Sequence, residues 1–136
     1  MSEKTRMTTE ERHAQVEFYL GKTVTIAIDR PVGYVHHKDG KTLVYPINYG
    51  YIPGILGGDG EELDVFLVGV DAPVSEFTGC IIGIAYRADD VEDKLIMAPK
   101  GMIFTAREIA RIVQFQEKYY HTTIRTIDGC VAEVER

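Results

Sequence analysis

Two acidic clusters dominate the polar chemistry of this chain. Asp59, Glu61, Glu62 and Asp64 crowd the head of one apolar run, and Asp89, Asp90, Glu92 and Asp93 crowd a later turn. If the fold makes these clusters neighbours, their carboxylates repel one another until a cation neutralises them. An all-oxygen donor set without His or Cys suits Mg²⁺, with Mn²⁺ as the substitute, and does not suit Zn²⁺. Turns and solvated strand ends also collect acids for no chemical reason, and that reading stays open at this level. A second segment, Tyr45 to Gly54 (YPINYGYIPG), carries Tyr45, Tyr49 and Tyr51. Their hydroxyls can donate to phosphate oxygens if they line a cleft; an aromatic strand packed on the core is the alternative. His36 and His37 stand beside Lys38, but exposed loop histidines usually bind neither metal nor phosphate. They are left outside the site, and His13 and His121 read as helix-surface residues.

The elements that must position these groups follow from periodicity. Thr8 and Glu11 have capping-box spacing ahead of a short helix over Glu10 to Leu20, which Gly21 ends. Lys22 to Asp29 alternates as a half-buried strand. Pro31 to Gly60 is rich in Gly and Pro and reads as turns and short strands. Leu63 with Val65 to Val68, and Cys80 to Ala85, are strand-length apolar runs expected to be neighbours. Lys94 to Ala98 forms a third, joined to the second by the acidic turn Arg87 to Asp93 as a hairpin. Thr105 and Glu108 repeat the capping box before a helix to about His121, with Ile109, Ile112, Val113 and Tyr120 as its apolar stripe. The tail from Thr122 reads as a strand around Ile124 or a short helix after Gly129. Crowded strands with flanking helices predict an α+β fold, a small OB-like antiparallel β-barrel, as a single domain over residues 1–136.

Composition bounds the function. The chain has 136 residues, 45% apolar and 26% charged, enough for its own core without disulfides. Fifteen Lys and Arg against 21 Asp and Glu give a net charge of -6, opposite to the footprint of a nucleic-acid binder. No apolar stretch is long enough for a membrane helix, and the N-terminus MSEKTRMTTEER is too polar for a signal peptide. The expectation is a soluble cytoplasmic protein, with Cys80 and Cys130 as free thiols.

The order of three segments resembles the soluble family I inorganic pyrophosphatases. They are Tyr45 to Ile52, then Gly58-Asp59-Gly60-Glu61-Glu62-Leu63-Asp64-Val65, then the acidic hairpin closed by Lys94-Leu95. That family has a YPxNYGYI segment, a DGDPxDV signature and a D-x-x-x-x-D-x-K hairpin, in the same order. The resemblance implies Mg²⁺-dependent hydrolysis of pyrophosphate, with Asp59 and Asp64 as metal ligands and Glu61 helping to activate the attacking water. Tyr49 matches a phosphate-facing tyrosine and Lys94 the hairpin lysine that neutralises phosphate charge. Asp89 matches the first hairpin aspartate; for the second, spacing selects Glu92 and residue type selects Asp93. Homo-oligomers are common in the family, which the resemblance carries over.

The departures fall mostly on the phosphate side. Glu61-Glu62 replaces Asp-Pro, the hairpin is shorter, and Ala27 stands where the family has an upstream glutamate. Arg30, Lys38 or Lys41 substitutes for lost upstream cations. Lys118-Tyr119 reverses the family's Tyr-Lys pair near the helix end, and Lys118 joins Arg30 among the candidate substrate ligands. Two rivals remain: a related protein that cleaves another phosphoanhydride or binds phosphate or metal without turnover, and a barrel-shaped nucleic-acid module, which the acidity disfavours.

Overall fold

Thr8 opens the first helix through a closed capping box: its hydroxyl accepts the Glu11 N–H (3.1 Å) and the Glu11 carboxylate accepts the Thr8 N–H (2.9 Å). Helix α1 (Thr9–Tyr19) buries only Arg12 and Val16, one turn apart on the same face. The structure is a computed structural model that describes residues 6–136. The first five residues of the polar N-terminal stretch, which carry part of the reading against a signal peptide, lie outside it.

Five strands close into a barrel in the order β1 (Thr23–Arg30), β4 (Asn48–Leu56), β5 (Glu62–Leu67), β7 (Lys94–Ala98) and β6 (Glu76–Arg87). Closure depends on β1 dividing its edge, with Thr23 to Ala27 against β6 and Ala27 to Arg30 against β4. At that division Gly50 lies so close to Ala27 that a Cβ would collide with its carbonyl, so the NYGY segment tolerates no side chain there. Asn48 in the same segment is fully buried. Its amide oxygen accepts the N–H groups of Val32 and Val74, while its NH₂ donates to the Val70 and Ala72 carbonyls.

The runs in β5 and β6 are not neighbours, as the sequence had suggested; β7 lies between them, antiparallel to β6 and parallel to β5. All five residues of β7 are buried, and a strand buried on both faces requires partners on both edges. The single parallel pair among the described residues uses a strand, β6, as its crossover, so no intervening helix is needed.

Alternation along the central strands separates two apolar layers. Leu63, Val65, Leu67, Leu95 and Met97 point toward the α1 side with Val16, Ile26, Ile81 and Ile84. Phe66, Val68, Ile96 and Ala98 point to the other face, against Ile109 and Val113 of α2 (Ala106–Glu117), which Thr105 and Glu108 cap by the predicted box. Full burial of a side chain such as Ile109 or Val113 contributes about 1.5–3 kcal/mol. The helix ends at Glu117, so Tyr120 and His121 lie beyond it, and Tyr120 is not part of its stripe.

The tail forms two strands, β8 (Thr122–Thr126) and β9 (Val131–Glu133), rather than a helix after Gly129. The Asp128 carboxylate accepts the Thr126 hydroxyl and the Cys130 N–H (3.2 Å), fixing a turn completed by Gly129 at φ 86°. Cys80 and Cys130 are free thiols. Among the described residues, no helix is long and apolar enough to cross a membrane. A separate hairpin, β2 (Val35–Lys38) and β3 (Lys41–Val44), stands outside the barrel on an Asp39-Gly40 turn with φ of 53° and 74°.

Candidate functional site

The strand register brings the first two charged groups together. Tyr51 pairs with Asp64 across β4 and β5, and Val65 pairs with Leu95 across β5 and β7, so Asp64 and Lys94 stand side by side on the α2-facing layer. Lys94 Nζ is 2.8 Å from Asp64 Oδ2 and 2.9 Å from Glu92 Oε1, and the Lys94 side chain is only 1% exposed. Burial opposes its charge, but Tyr49, Asp64 and Glu92 outweigh that penalty and hold its pKa well above the ordinary lysine range. Tyr49, facing Lys94, is pushed upward by burial and is a neutral hydrogen-bond donor at physiological pH.

The two acidic clusters meet through a glycine. Gly58 packs so closely on the 87–93 turn that a Cβ would strike the Val91 carbonyl and the Arg12 side chain. This contact seats Asp59 near Glu92, whose pKa rises because of burial and then, against the effect of Lys94, because of the neighbouring Asp59 carboxyl. Asp59 Oδ1 also accepts the Glu61 N–H (2.9 Å), leaving Glu61 in an exposed turn.

The hairpin acids divide into three environments. Glu92 faces the pocket. Asp93 turns the other way, with its side chain wholly buried, and accepts Arg12 Nε (3.1 Å) and the Arg87 N–H (3.0 Å). Asp89 is exposed and accepts the His121 N–H (2.9 Å), away from the pocket. Arg12 also donates to the carbonyls of Asp90 (2.6 Å) and Arg87 (3.2 Å), so one α1 side chain holds the turn from behind. Arg87 holds it from within: its guanidinium reaches Glu117 (2.6 and 2.9 Å), Asp90 (2.8 Å) and Glu92 (3.3 Å), beneath the Tyr120 ring at 3.7 Å.

The opposite wall is cationic and phenolic. Arg30 donates to the Tyr45 hydroxyl, which donates to Gln116 Oε1, both at 2.5 Å. Together with Tyr49, Asp64, Glu92 and Lys94 these groups border a pocket of about 310 Å³ whose rim includes His36, Lys38 and Lys41 of the β2–β3 hairpin. Tyr119 and Tyr120 line it; Lys118 and Tyr51 do not. The Lys118 ammonium instead lies 5.4 Å from the Tyr119 ring. A larger cleft, about 670 Å³, lies between α2 and β9, and none of the candidate metal, catalytic or substrate-binding residues borders it.

Carboxylate oxygens from Asp59, Asp64 and Glu92 are donors of the kind a hard divalent cation takes. Among the described residues, no three His, Cys, Asp or Glu side chains close on one point, and Lys94 stands between Asp64 and Glu92. The donor chemistry fits Mg²⁺ or Mn²⁺, with the fixed ammonium as a competitor for the same oxygens. Sequence reasoning missed Arg12, Arg87, Gln116 and Glu117, because isolated charged residues on helices and strand ends carry no spacing signal. For the hairpin, the spacing to Lys94 rather than residue type marks the pocket acid: it is Glu92, not Asp93, that meets the Lys94 ammonium.

A small closed barrel flanked by helices, with carboxylates, buried cations and phenols around one pocket, defines a protein suited to metal and phosphate chemistry. The chain belongs to the inorganic pyrophosphatase family, whose model matches residues 14–127. The inorganic pyrophosphatase of Aquifex pyrophilus is 29% identical over 96 residues, covering 66% of this chain and 54% of that protein. That of Pseudomonas aeruginosa is 32% identical over 92 residues, covering 64% and 49%. The matches span 33% to 54% of the length of the curated relatives. The solved inorganic pyrophosphatase of Ehrlichia chaffeensis superposes with a TM-score of 0.55 at 19% identity, covering 85% of this chain and 88% of that one. That of Coxiella burnetii has the same score and identity, covering 74% and 78%. These two structures share the fold.

Proposed function

We propose that this chain hydrolyses inorganic pyrophosphate to two phosphates. The observation that carries the reading is the shared pocket of Asp64, Glu92 and Lys94 with Tyr49 and Arg30, in a chain of the inorganic pyrophosphatase family. Asp59, Asp64 and Glu92 are the ligand set; Asp89 and Asp93 are left out because the first is bound at the surface and the second is enclosed by Arg12 and Arg87. A divalent cation, Mg²⁺ or Mn²⁺, when bound there supplies charge neutralisation and lowers the pKa of water.

The protein's own groups supply the rest. Arg30 and Lys94 bind the anionic oxygens, and neutral Tyr49 donates a hydrogen bond to them. Glu61, next to Asp59 in the signature turn, orients the attacking water and takes its proton. The water oxygen bonds to one phosphorus as the bridging P–O bond breaks, and the proton ends on the departing phosphate. Preorganised cations opposite the developing charge stabilise the transition state without reorganisation. Lys118 contributes through Tyr119 rather than by touching substrate. A homo-oligomeric assembly in the cytoplasm accords with the family, and both are part of the proposal.

The test is phosphate release from pyrophosphate with Mg²⁺, using wild type and Asp64→Asn side by side. Mg²⁺-dependent release that falls about 10²–10³-fold in the variant supports the reading. Folded wild type that binds Mg²⁺ but releases no phosphate overturns it in favour of another phosphoanhydride or a binding role.

A further inference from the structure

The β2–β3 hairpin carries its charge on one face. Directly opposed residues of an antiparallel pair share a face, so the His36/Leu43 and Lys38/Lys41 pairs look into the pocket. The Val35/Val44 and His37/Thr42 pairs look away. Like charges directly opposite one another destabilise a strand pair, yet Lys38 and Lys41 occupy that arrangement at the hairpin tip. Among the described residues neither enters an ion pair, although Asp39 sits between them in the turn. The deeper cations differ: Lys94 and Arg87 are both committed to carboxylates. The pocket therefore has an outer end, apart from the acid-lined floor, with two ammonium groups that enter no ion pair among the described residues and one carboxylate, Asp39.

Its aromatic surfaces disfavour one class of ligand. Lys41 lies over the Tyr119 ring at 4.4 Å with Lys118 at 5.4 Å, and Arg87 covers Tyr120 at 3.7 Å. A nucleobase binds such walls by stacking on an aromatic face, and these faces already carry cations. What the outer end offers is positive charge for further phosphate oxygens. Its volume, about 310 Å³, lies in the range that holds ligands larger than a diphosphate.

We propose that Lys38 and Lys41 form an additional anion subsite for the distal phosphate of a linear polyphosphate of three or more phosphates. The proposal rests on the reading of the pocket as a phosphoanhydride site, with the proximal diphosphate on Arg30, Tyr49 and Lys94. Lys38 and Lys41 make and break no bond; they hold the end of the chain.

The experiment measures binding of pyrophosphate, tripolyphosphate and ATP to the full chain by calorimetry in chelator, where no hydrolysis intervenes. Mg²⁺-supported phosphate release is assayed in parallel. Wild type is expected to bind tripolyphosphate about tenfold more tightly than pyrophosphate, as one added charge-assisted contact provides. The exposed Lys38→Ala/Lys41→Ala variant should lose about tenfold for tripolyphosphate and less than about twofold for pyrophosphate, removing the preference. Equal losses for both ligands, no loss, or no tripolyphosphate binding by wild type overturns the proposal. ATP bound as tightly as tripolyphosphate and equally dependent on the two lysines replaces it with a nucleotide site. Absence of Mg²⁺-dependent phosphate release from pyrophosphate defeats the hydrolytic reading alone, since the binding ratio is read without turnover.

Discussion

The Lys94 ammonium lies 2.8 Å from Asp64 Oδ2 and is almost entirely enclosed. A divalent cation drawn to Asp64 and Glu92 meets a positive charge that is covalently part of the protein and cannot leave. At about 4 Å and an effective dielectric near 20, two unit charges interact by about 4 kcal/mol, so the competition is large enough to measure.

Replacing Lys94 with Met separates its two effects. Mn²⁺ binding should tighten by about tenfold, because Asp64 and Glu92 lose their internal partner. Pyrophosphate turnover should fall by about 10²–10³-fold, because a preorganised cation is gone from the anion's side. A calorimetric Mn²⁺ titration beside a phosphate-release assay checks both. If metal affinity falls together with turnover, Lys94 arranges the carboxylates rather than competing for them.

Gly58→Ala tests how the two acidic clusters meet. The added methyl would collide with the Val91 carbonyl, which is backbone and cannot swing aside, so the 57–60 loop must lift and carry Asp59 from Glu92. Mg²⁺ affinity should drop by about tenfold or more. Gly57→Ala is the control: its Cβ would meet Leu63 atoms no nearer than 3.4 Å, an ordinary contact. Equal Mg²⁺ affinity in the two variants would show that the loop contact does not set the ligand geometry.

Much of this site was legible as residue types and little of it as relationships. Both capping boxes, the acid clusters and the tyrosine segment stand in the sequence because they are local patterns. The proximity of Asp59 to Glu92 depends on Gly58 meeting Val91, a contact between segments far apart in sequence. The parallel β5–β7 pair was invisible because hydrophobic runs do not encode which neighbour they take. Tyr120 fits a helical stripe numerically, yet the helix stops at Glu117, where Arg87 and Thr122 engage its carboxylate and the chain turns into β8. Arg87 and Glu117 could have been paired only by knowing that β6 ends beneath the end of α2.

Arg12 should prove structural in a way its surface-helix position conceals. Arg12→Met leaves the Asp93 carboxylate buried without its guanidinium and frees two turn carbonyls, at a cost of about 3–5 kcal/mol in urea denaturation. Arg12→Lys supplies a point charge but not the fork, and should recover less than half of that loss. Full recovery by Lys would mean that charge alone, not the divided hydrogen bonding, secures the turn.

Alkaline stability should report on Tyr86. Its hydroxyl donates to Glu17 Oε2 (2.7 Å), and burial, then that hydrogen bond, push its pKa up to about 12. The folded chain therefore keeps this proton more tightly than the unfolded chain, whose phenol titrates near 10. The associated stability is complete below about pH 10 and declines as pH rises toward about 12, because the unfolded state is then the first to ionise. Tyr86→Phe should lose about 0.5–1.5 kcal/mol at neutral pH, the net value of one hydrogen bond, and show a shallower alkaline decline. The decline should not vanish, since buried Tyr49 is also raised. Urea midpoints across the alkaline range decide the matter: parallel curves for wild type and variant would assign the pH dependence to other groups.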